Sequence, residues 1–352
     1  MKVLVIGGTQ FIGKPLVTAL VKAGHDVTIL HRKRVHKFGK KVSNLQCDRN
    51  DIEAIKKVLS LHKFEVIFDN VYDWERGTTA NQVEAAVRSA GDRLTRYIFM
   101  SSVAAYGDGL NHHEADALAP DDHPDQYVRN KAMTERMLFR LYHRSKVPVV
   151  TLRPPFIYGP ENPFYREQFF WDRLRLNRPL ILPGDGRRLM QFVFIKDLVD
   201  AMLKVLDEPS AVGQAFNVAN PRPVTQEELL IALAAAAKKK PNIVRLPRRM
   251  IFHAGGNPMG PLFYFGQYFD IPAITEVVAK AQRSLGWKPT DFAKGLAETY
   301  KWYLRNHKKP KTDWTFEDNL IHSAPPIAGE EFAFTGAAVA NAPAVAARSR
   351  RG

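Results

Sequence analysis

Tyr127 and Lys131 lie four residues apart, at the head of a stretch whose pattern predicts a helix from Tyr127 to Arg144. Residues four apart share one helix face. A phenol is a poor base at neutral pH because its pKa is about 10. A nearby ammonium stabilises the phenolate, and the pair can then move a proton to or from a sugar or alcohol hydroxyl. Spacing alone is not specific, since Tyr142 and Lys146 repeat it. That second pair closes its helix and runs into a strand, whereas Tyr127 opens the helix. Ser102 precedes it, in Phe99-Met-Ser-Ser-Val-Ala-Ala-Tyr-Gly107. This stretch ends a predicted strand, and open α/β sheets bind ligands beyond the carboxyl ends of their strands. A serine hydroxyl there can hold a substrate oxygen while Tyr127 moves the proton. Taken alone, Ser102 reads as an ordinary turn serine.

These side chains need a scaffold, and the first residues supply it. Val3-Leu-Val-Ile-Gly-Gly-Thr-Gln-Phe-Ile-Gly13 predicts a buried strand, a glycine turn and a helix from Ile12 to Ala23. Backbone N–H groups of such a turn and the helix N-terminus point at a bound pyrophosphate, and the glycines let the backbone come close. Further strands are predicted at Asp26–Leu30, Val42–Cys47, Glu65–Asp69, Arg96–Ser101 and Pro148–Leu152, with helices at Asp51–Leu61 and Thr78–Ala90 between them. That alternation predicts an α/β fold: a Rossmann-type, doubly wound parallel sheet with helices on both faces.

After Arg153 the rhythm changes. Prolines cluster at Pro154, Pro155, Pro160 and Pro163, and the elements shorten. A helix is expected over Asp197–Leu206, a strand over Gln214–Val218 and a helix over Gln226–Ala237. The division expected is a cofactor-binding domain at 1–153 and a smaller α/β substrate domain at 154–320, with the chain crossing between them. From Ile321 the composition turns to Ala, Pro, Gly and Ser, so residues 321–352 read as a disordered tail.

The 352 residues can bury a sizeable core, and 45% are hydrophobic. No apolar run is long enough for a membrane span. The short N-terminal apolar run flows into a patterned fold and does not read as a signal peptide. The single cysteine, Cys47, excludes an intrachain disulfide and fits a reducing, cytoplasmic setting. Net charge is +15. The basic residues are dispersed and no run interleaves with aromatics as a single-strand groove would. A phosphorylated small molecule is the favoured partner, and RNA is the alternative. His112-His113-Glu114 has no further ligand at useful spacing, so no metal site is expected.

Together these segments resemble the extended, epimerase/dehydratase-like branch of the short-chain dehydrogenase/reductase superfamily. The resemblance rests on Gly-Gly-Thr-Gln-Phe-Ile-Gly13 after the first strand, Ser-Ser-x-x-x-Tyr-Gly107, Tyr127-x-x-x-Lys131, Arg153-Pro-Pro-Phe-Ile-Tyr-Gly-Pro160, Phe192-Val-Phe-Ile-Lys-Asp-Leu-Val199, Phe216-Asn-Val-Ala219 and Leu285-Gly-Trp287, in that order. It covers about residues 1 to 305. It implies a catalytic triad of Ser102, Tyr127 and Lys131 acting with NAD(P) on a sugar or nucleotide-sugar hydroxyl. It also implies that Gly7, Thr9, Gln10, Phe11, Ile12 and Gly13 wrap the pyrophosphate, that Asp48 and Arg49 flank the adenine, and that Val71, Met100, Pro154 and Phe156 line the rest of the cofactor. The helix from Tyr127 becomes a candidate homodimer face.

Three departures carry expectations of their own. Gln10 replaces the middle glycine of the family's turn and should crowd the pyrophosphate unless the turn differs. Sequences with Gly-Gly-Thr-x-Phe-Ile-Gly, including the chloroplast stem-loop-binding group, share this departure, and the ending Asp313-Trp-Thr-Phe-Glu-Asp318 is similar to theirs. The second strand ends in His31-Arg32, without the acidic residue that takes ribose hydroxyls, so NADP is favoured over NAD, with Arg32 as the 2′-phosphate partner. Met190-Gln-Phe-Val-Phe194 lacks the arginine that grips a nucleotide diphosphate in many relatives. Arg187 and Arg188 are the candidate substitutes, because a guanidinium can take a phosphate bidentately.

Overall fold

The computed structural model describes residues 1–307 and 313–323. Seven strands form one sheet: β1 (Lys2–Ile6), β2 (Asp26–His31), β3 (Val42–Gln46), β4 (Val66–Asp69), β5 (Arg96–Met100), β6 (Val149–Arg153) and β7 (Gln214–Asn217). Their order is β7-β6-β5-β4-β1-β2-β3, and every neighbouring pair is parallel. The winding reverses between β1 and β4, which opens a crevice beyond their carboxyl ends. This is the doubly wound sheet that the alternating pattern predicts.

The central strands β1 and β4 are largely apolar on both faces because both are covered. Val3 and Val5 face α1 (Gly13–Lys22), whose Leu16, Val17 and Leu20 join the same core. Leu4 and Ile6 point the other way, towards α2 (Ile52–Leu61), α3 (Ala80–Ser89) and α4 (Gln126–Ser145). That alternation follows from the two-residue repeat of a strand. The caps set the helix starts. The Asp51 side chain accepts from the Ala54 amide at 3.0 Å. The Asp125 side chain accepts from the amides of Tyr127 and Val128, which fixes Tyr127 in the first turn of α4.

The second core lies around α5 (Glu167–Arg175) and α7 (Gln226–Ala236), where Phe169, Phe170 and Trp171 pack with Leu229, Leu230 and Leu233. Between these helices the chain returns to the first half. α6 (Ile195–Asp207) packs Leu198, Val199 and Met202 into the core shared with α1, and β7 extends the main sheet. Trp287 is buried in that core too, its indole donating to the Asp197 carbonyl at 2.9 Å. The last helix among the described residues, Thr315–His322, docks on α5. Glu317 pairs with buried Arg173, and Asp318 with Arg178. The tail expected from Ile321 therefore begins inside a helix, because Leu320 is buried and Ile321 packs against the second core. The remainder of that expected tail, from residue 324, lies outside the described residues.

Candidate active site

The glycine turn closes tightly on itself. Gly7 has φ +83, and a Cβ there would sit 2.5 Å from Val71 Cγ2. A Cβ on Gly13 would sit 2.0 Å from the Gly7 carbonyl oxygen. Only glycine fits these two positions. α1 starts at Gly13 with no acidic residue in its first turn, so its positive end is free for an anion. Thr9 is half-buried on the turn. The turn at Gln10 takes an unusual course. Gln10 is exposed, Phe11 takes φ +24, and the Phe11 ring packs on the second core. Ile12 touches both cores. The cradle fits a pyrophosphate.

At the end of β2, the buried Nε2 of His31 has no hydrogen-bond partner among the described residues. Burial lowers its pKa. Arg32 is exposed, with Nη1 4.0 Å from Asp73 Oδ2. Asp73 also receives Arg76 at 2.7 Å, and Arg76 reaches Asp48 at 2.8 Å. Two arginines and two carboxylates thus share this corner. Arg49, expected beside the adenine, turns its side chain inward instead. It pairs with the fully buried Asp69 through Nε, 3.2 Å from Oδ1, and through Nη2, while Nη1 donates to the Gln82 carbonyl at 2.8 Å. The Tyr97 hydroxyl adds a bond to Asp69 at 2.6 Å. An arginine so engaged can offer a ligand only its backbone.

At the ends of β5 and β6, Ser102, Tyr127 and Lys131 come together. Ser102 Oγ accepts from the Ala104 amide at 3.2 Å and lies 3.4 Å from the Pro154 carbonyl oxygen. Burial pushes the Tyr127 phenol up to about 12, and the Ser102 hydroxyl opposes that rise. Lys131 is buried. Its Nζ donates to the Met100 carbonyl at 2.6 Å and sits 5.7 Å from the Tyr127 ring centroid. Desolvation lowers its ammonium to about 8, against the raising effect of Asp69 and Glu135. The competing pair is placed elsewhere: Tyr142 packs against Gly213, where a Cβ would meet its ring at 2.2 Å.

Sequence reasoning missed the walls of this site. Tyr72 meets Tyr127 edge-on at 4.7 Å, and Trp74 stacks on it at 4.9 Å. Trp74 continues to Phe164 at 5.7 Å and Tyr268 at 6.1 Å. Arg166 lies over Phe164 and over Phe156, at 4.4 and 5.0 Å from their centroids. Phe156, expected to line the cofactor, is part of this aromatic wall. The one available signal was that Tyr72 and Trp74 follow the carboxyl end of β4. Arg188, a candidate for holding substrate phosphate, spends Nη1 on Asp270 Oδ1 at 2.8 Å and on the carbonyls of Asp270 and Ile271. Arg187 is exposed. Among the described residues no cluster of three or more His, Cys, Asp or Glu is placed to hold a metal, and no helix is long and apolar enough to cross a membrane.

The model of the NAD dependent epimerase/dehydratase family matches residues 3–219. Chloroplast stem-loop binding protein of 41 kDa b from Arabidopsis thaliana is 33% identical over 343 residues, spanning 91% of this chain and 84% of that protein. UDP-glucose 4-epimerase from Vibrio cholerae is 26% identical over 333 residues, spanning 87% of this chain and 97% of that one. Among solved structures, dTDP-glucose 4,6-dehydratase from Bacillus anthracis in complex with NAD superposes with a TM-score of 0.70 at 18% identity, covering 87% of this chain and 97% of that one. At that identity the superposition speaks for the fold alone.

Proposed function

Since the chain belongs to the NAD-dependent epimerase/dehydratase family, we propose that it oxidises a hydroxyl of a sugar or nucleotide-sugar, with Tyr127 as general acid/base. The observation that carries this reading is the meeting of Ser102, Tyr127 and Lys131 at the strand ends beside the glycine cradle. Gly7, Gly13 and the amides of the turn would hold the cofactor's pyrophosphate. When bound, the nicotinamide supplies the acceptor for hydride. Ser102 holds the substrate oxygen, and Tyr127 takes its proton. Lys131 in its ammonium form stabilises the phenolate, which burial otherwise disfavours. The fate of the resulting ketone separates epimerase, dehydratase and reductase chemistry. NADP is the favoured cofactor on the strength of Arg32, which Asp73 holds at the end of β2.

Replacing Tyr127 by Phe tests the mechanism, with UDP-glucose and dTDP-glucose as probes and cofactor absorbance as the readout. Turnover should fall about 10²- to 10⁴-fold, the range for a lost acid/base, while cofactor binding persists. Unchanged turnover would count decisively against Tyr127. A second reading has its own support in the +15 charge and in the stem-loop binding for which the 33% identical relative is named. An RNA-binding role would show as filter retention of stem-loop RNA that weakens steeply with salt.

A further inference from the structure

Four arginines are buried among the described residues: Arg49, Arg153, Arg166 and Arg173. Three of them face a carboxylate, namely Asp69, Glu135 and Glu317. Arg166 faces none among the described residues. Its Nε donates to the Gln267 carbonyl at 3.2 Å, and neither Nη nitrogen has a hydrogen bond to a described residue. It is 8% exposed. A buried cation without a counter-charge is costly. Position makes it worse, because Arg166 caps the N-terminus of α5, the positive end of the helix dipole.

The adjacent Glu167 offsets this charge only in part, acting through space without an ion pair. Asn162 Nδ2 donates to its Oε2 at 3.0 Å, its Oε1 has no partner among the described residues, and burial raises its carboxyl to about 7. What surrounds the guanidinium is aromatic: Phe164, Phe156, Phe269 and Tyr268, at 4.4 to 5.9 Å. Ring faces stabilise a cation, yet leave its N–H groups unsatisfied. Phe164 and Tyr268 touch Trp74, which stacks on Tyr127. The unpaired cation and the candidate catalytic phenol therefore share one aromatic shell, and each feels the other's charge.

We propose that Arg166 is a specificity-determining residue that receives an anionic group, a carboxylate or a phosphate, carried on the sugar close to the hydroxyl that Tyr127 deprotonates. This rests on the oxidation proposed above. Two parallel N–H groups suit either anion bidentately. A substrate bringing that charge supplies the counter-ion the fold leaves out.

Calorimetric titration of the NADP-loaded protein tests it with two pairs of probes, UDP-glucuronate against UDP-glucose and glucose 6-phosphate against glucose. At least one anionic member should bind about tenfold tighter than its neutral partner, in line with a charge-assisted hydrogen bond. Discrimination in the first pair assigns a carboxylate, and in the second a phosphate. Arg166→Gln should erase the difference, and Arg166→Lys should keep part of it. If neither pair discriminates in the wild-type protein, the proposal fails. It fails too if Arg166→Gln weakens UDP-glucose and UDP-glucuronate equally, since that puts the guanidinium on their shared diphosphate. Should Arg166→Gln not fold, the wild-type comparison still decides. Turnover of neutral sugars that depends on Tyr127, without discrimination, would sink the anion pocket and leave the oxidation standing.

Discussion

The indole of Trp74 lies on the phenol of Tyr127, with ring centroids 4.9 Å apart and planes 22° from parallel. Trp74 comes from the loop after β4, where it also meets Tyr72, and its remaining ring contacts, Phe164 and Tyr268, come from beyond Arg153. One exposed side chain thus spans the crevice at the Tyr127 phenol.

That position makes Trp74 a reporter. Trp171 and Trp287 are fully buried in the cores, Trp302 packs against the second core and Trp314 against Arg173 and Arg178, so a ligand reaching Tyr127 should change the emission of Trp74 above all. Trp74→Phe should remove most of the ligand-induced change. Trp74→Ala should lower kcat/KM about fivefold, from a stack worth ~1 kcal/mol. An unaltered emission change in Trp74→Phe would show that ligands bind away from Tyr127.

Arg32 should decide between the two nicotinamide cofactors. We expect the wild-type protein to bind NADP about tenfold more tightly than NAD, one charge-assisted contact being worth that much. Arg32→Ala should abolish the preference with little effect on NAD. Because Asp73 lies 4.0 Å from Arg32, Asp73→Asn should strengthen NADP binding by removing a competitor. Equal affinities in the wild type, measured by calorimetry, would dismiss the assignment.

Lys131 sets a pH dependence of stability. Its ammonium titrates at about 8 in the folded protein and at 10.5 by ordinary values. Between those limits the unfolded chain holds a proton that the folded chain has released. Stability contributed by this group therefore rises with pH through the window, by at most about 1.4 kcal/mol per pH unit. Chemical denaturation at pH 8 and pH 10 should show a steeper rise for wild type than for Lys131→Met. Identical slopes would mean that Lys131 keeps its charge when folded.

Gly13→Ala should cripple the cradle. A methyl group 2.0 Å from the Gly7 oxygen cannot be accommodated without moving backbone. Cofactor affinity should fall by about two orders of magnitude or more, the effect of losing several oriented N–H contacts at once. A melting curve run in parallel separates local damage from loss of the fold. Wild-type affinity in this variant would mean that the turn plays no part in holding cofactor.

The sheet was legible because its information is local. Val3 to Ile6 and Val149 to Leu152 are apolar runs, Asp51 and Asp125 are side-chain caps, and each lies beside the element it defines. The shape of the glycine turn and the placement of Ser102, Tyr127 and Lys131 could be read because those positions follow from strand ends and helix spacing. Trp74, Phe164, Arg166 and Tyr268 could not, since they meet only when three distant loops pack together. Arg49 misled for the same reason. Its direction is set by Asp69, twenty residues away in sequence. Arg188 is likewise fixed by Asp270. At Gln10 the course of the turn could not be read from residue type, because it depends on the backbone angle at Phe11.

The seventh strand has a consequence for how the protein is made. Gln214–Asn217 pairs with Val150 to Arg153, in a strand whose residues are all buried. A nascent chain, or a fragment ending near residue 153, would present that apolar strand with an unpaired edge, the feature most prone to capture a neighbouring chain. The seal arrives only after the chain has laid down α5 and come back. Synthesis therefore passes through an interval in which the nearly finished sheet is its own aggregation hazard, and the two halves are not modules that could be expressed apart.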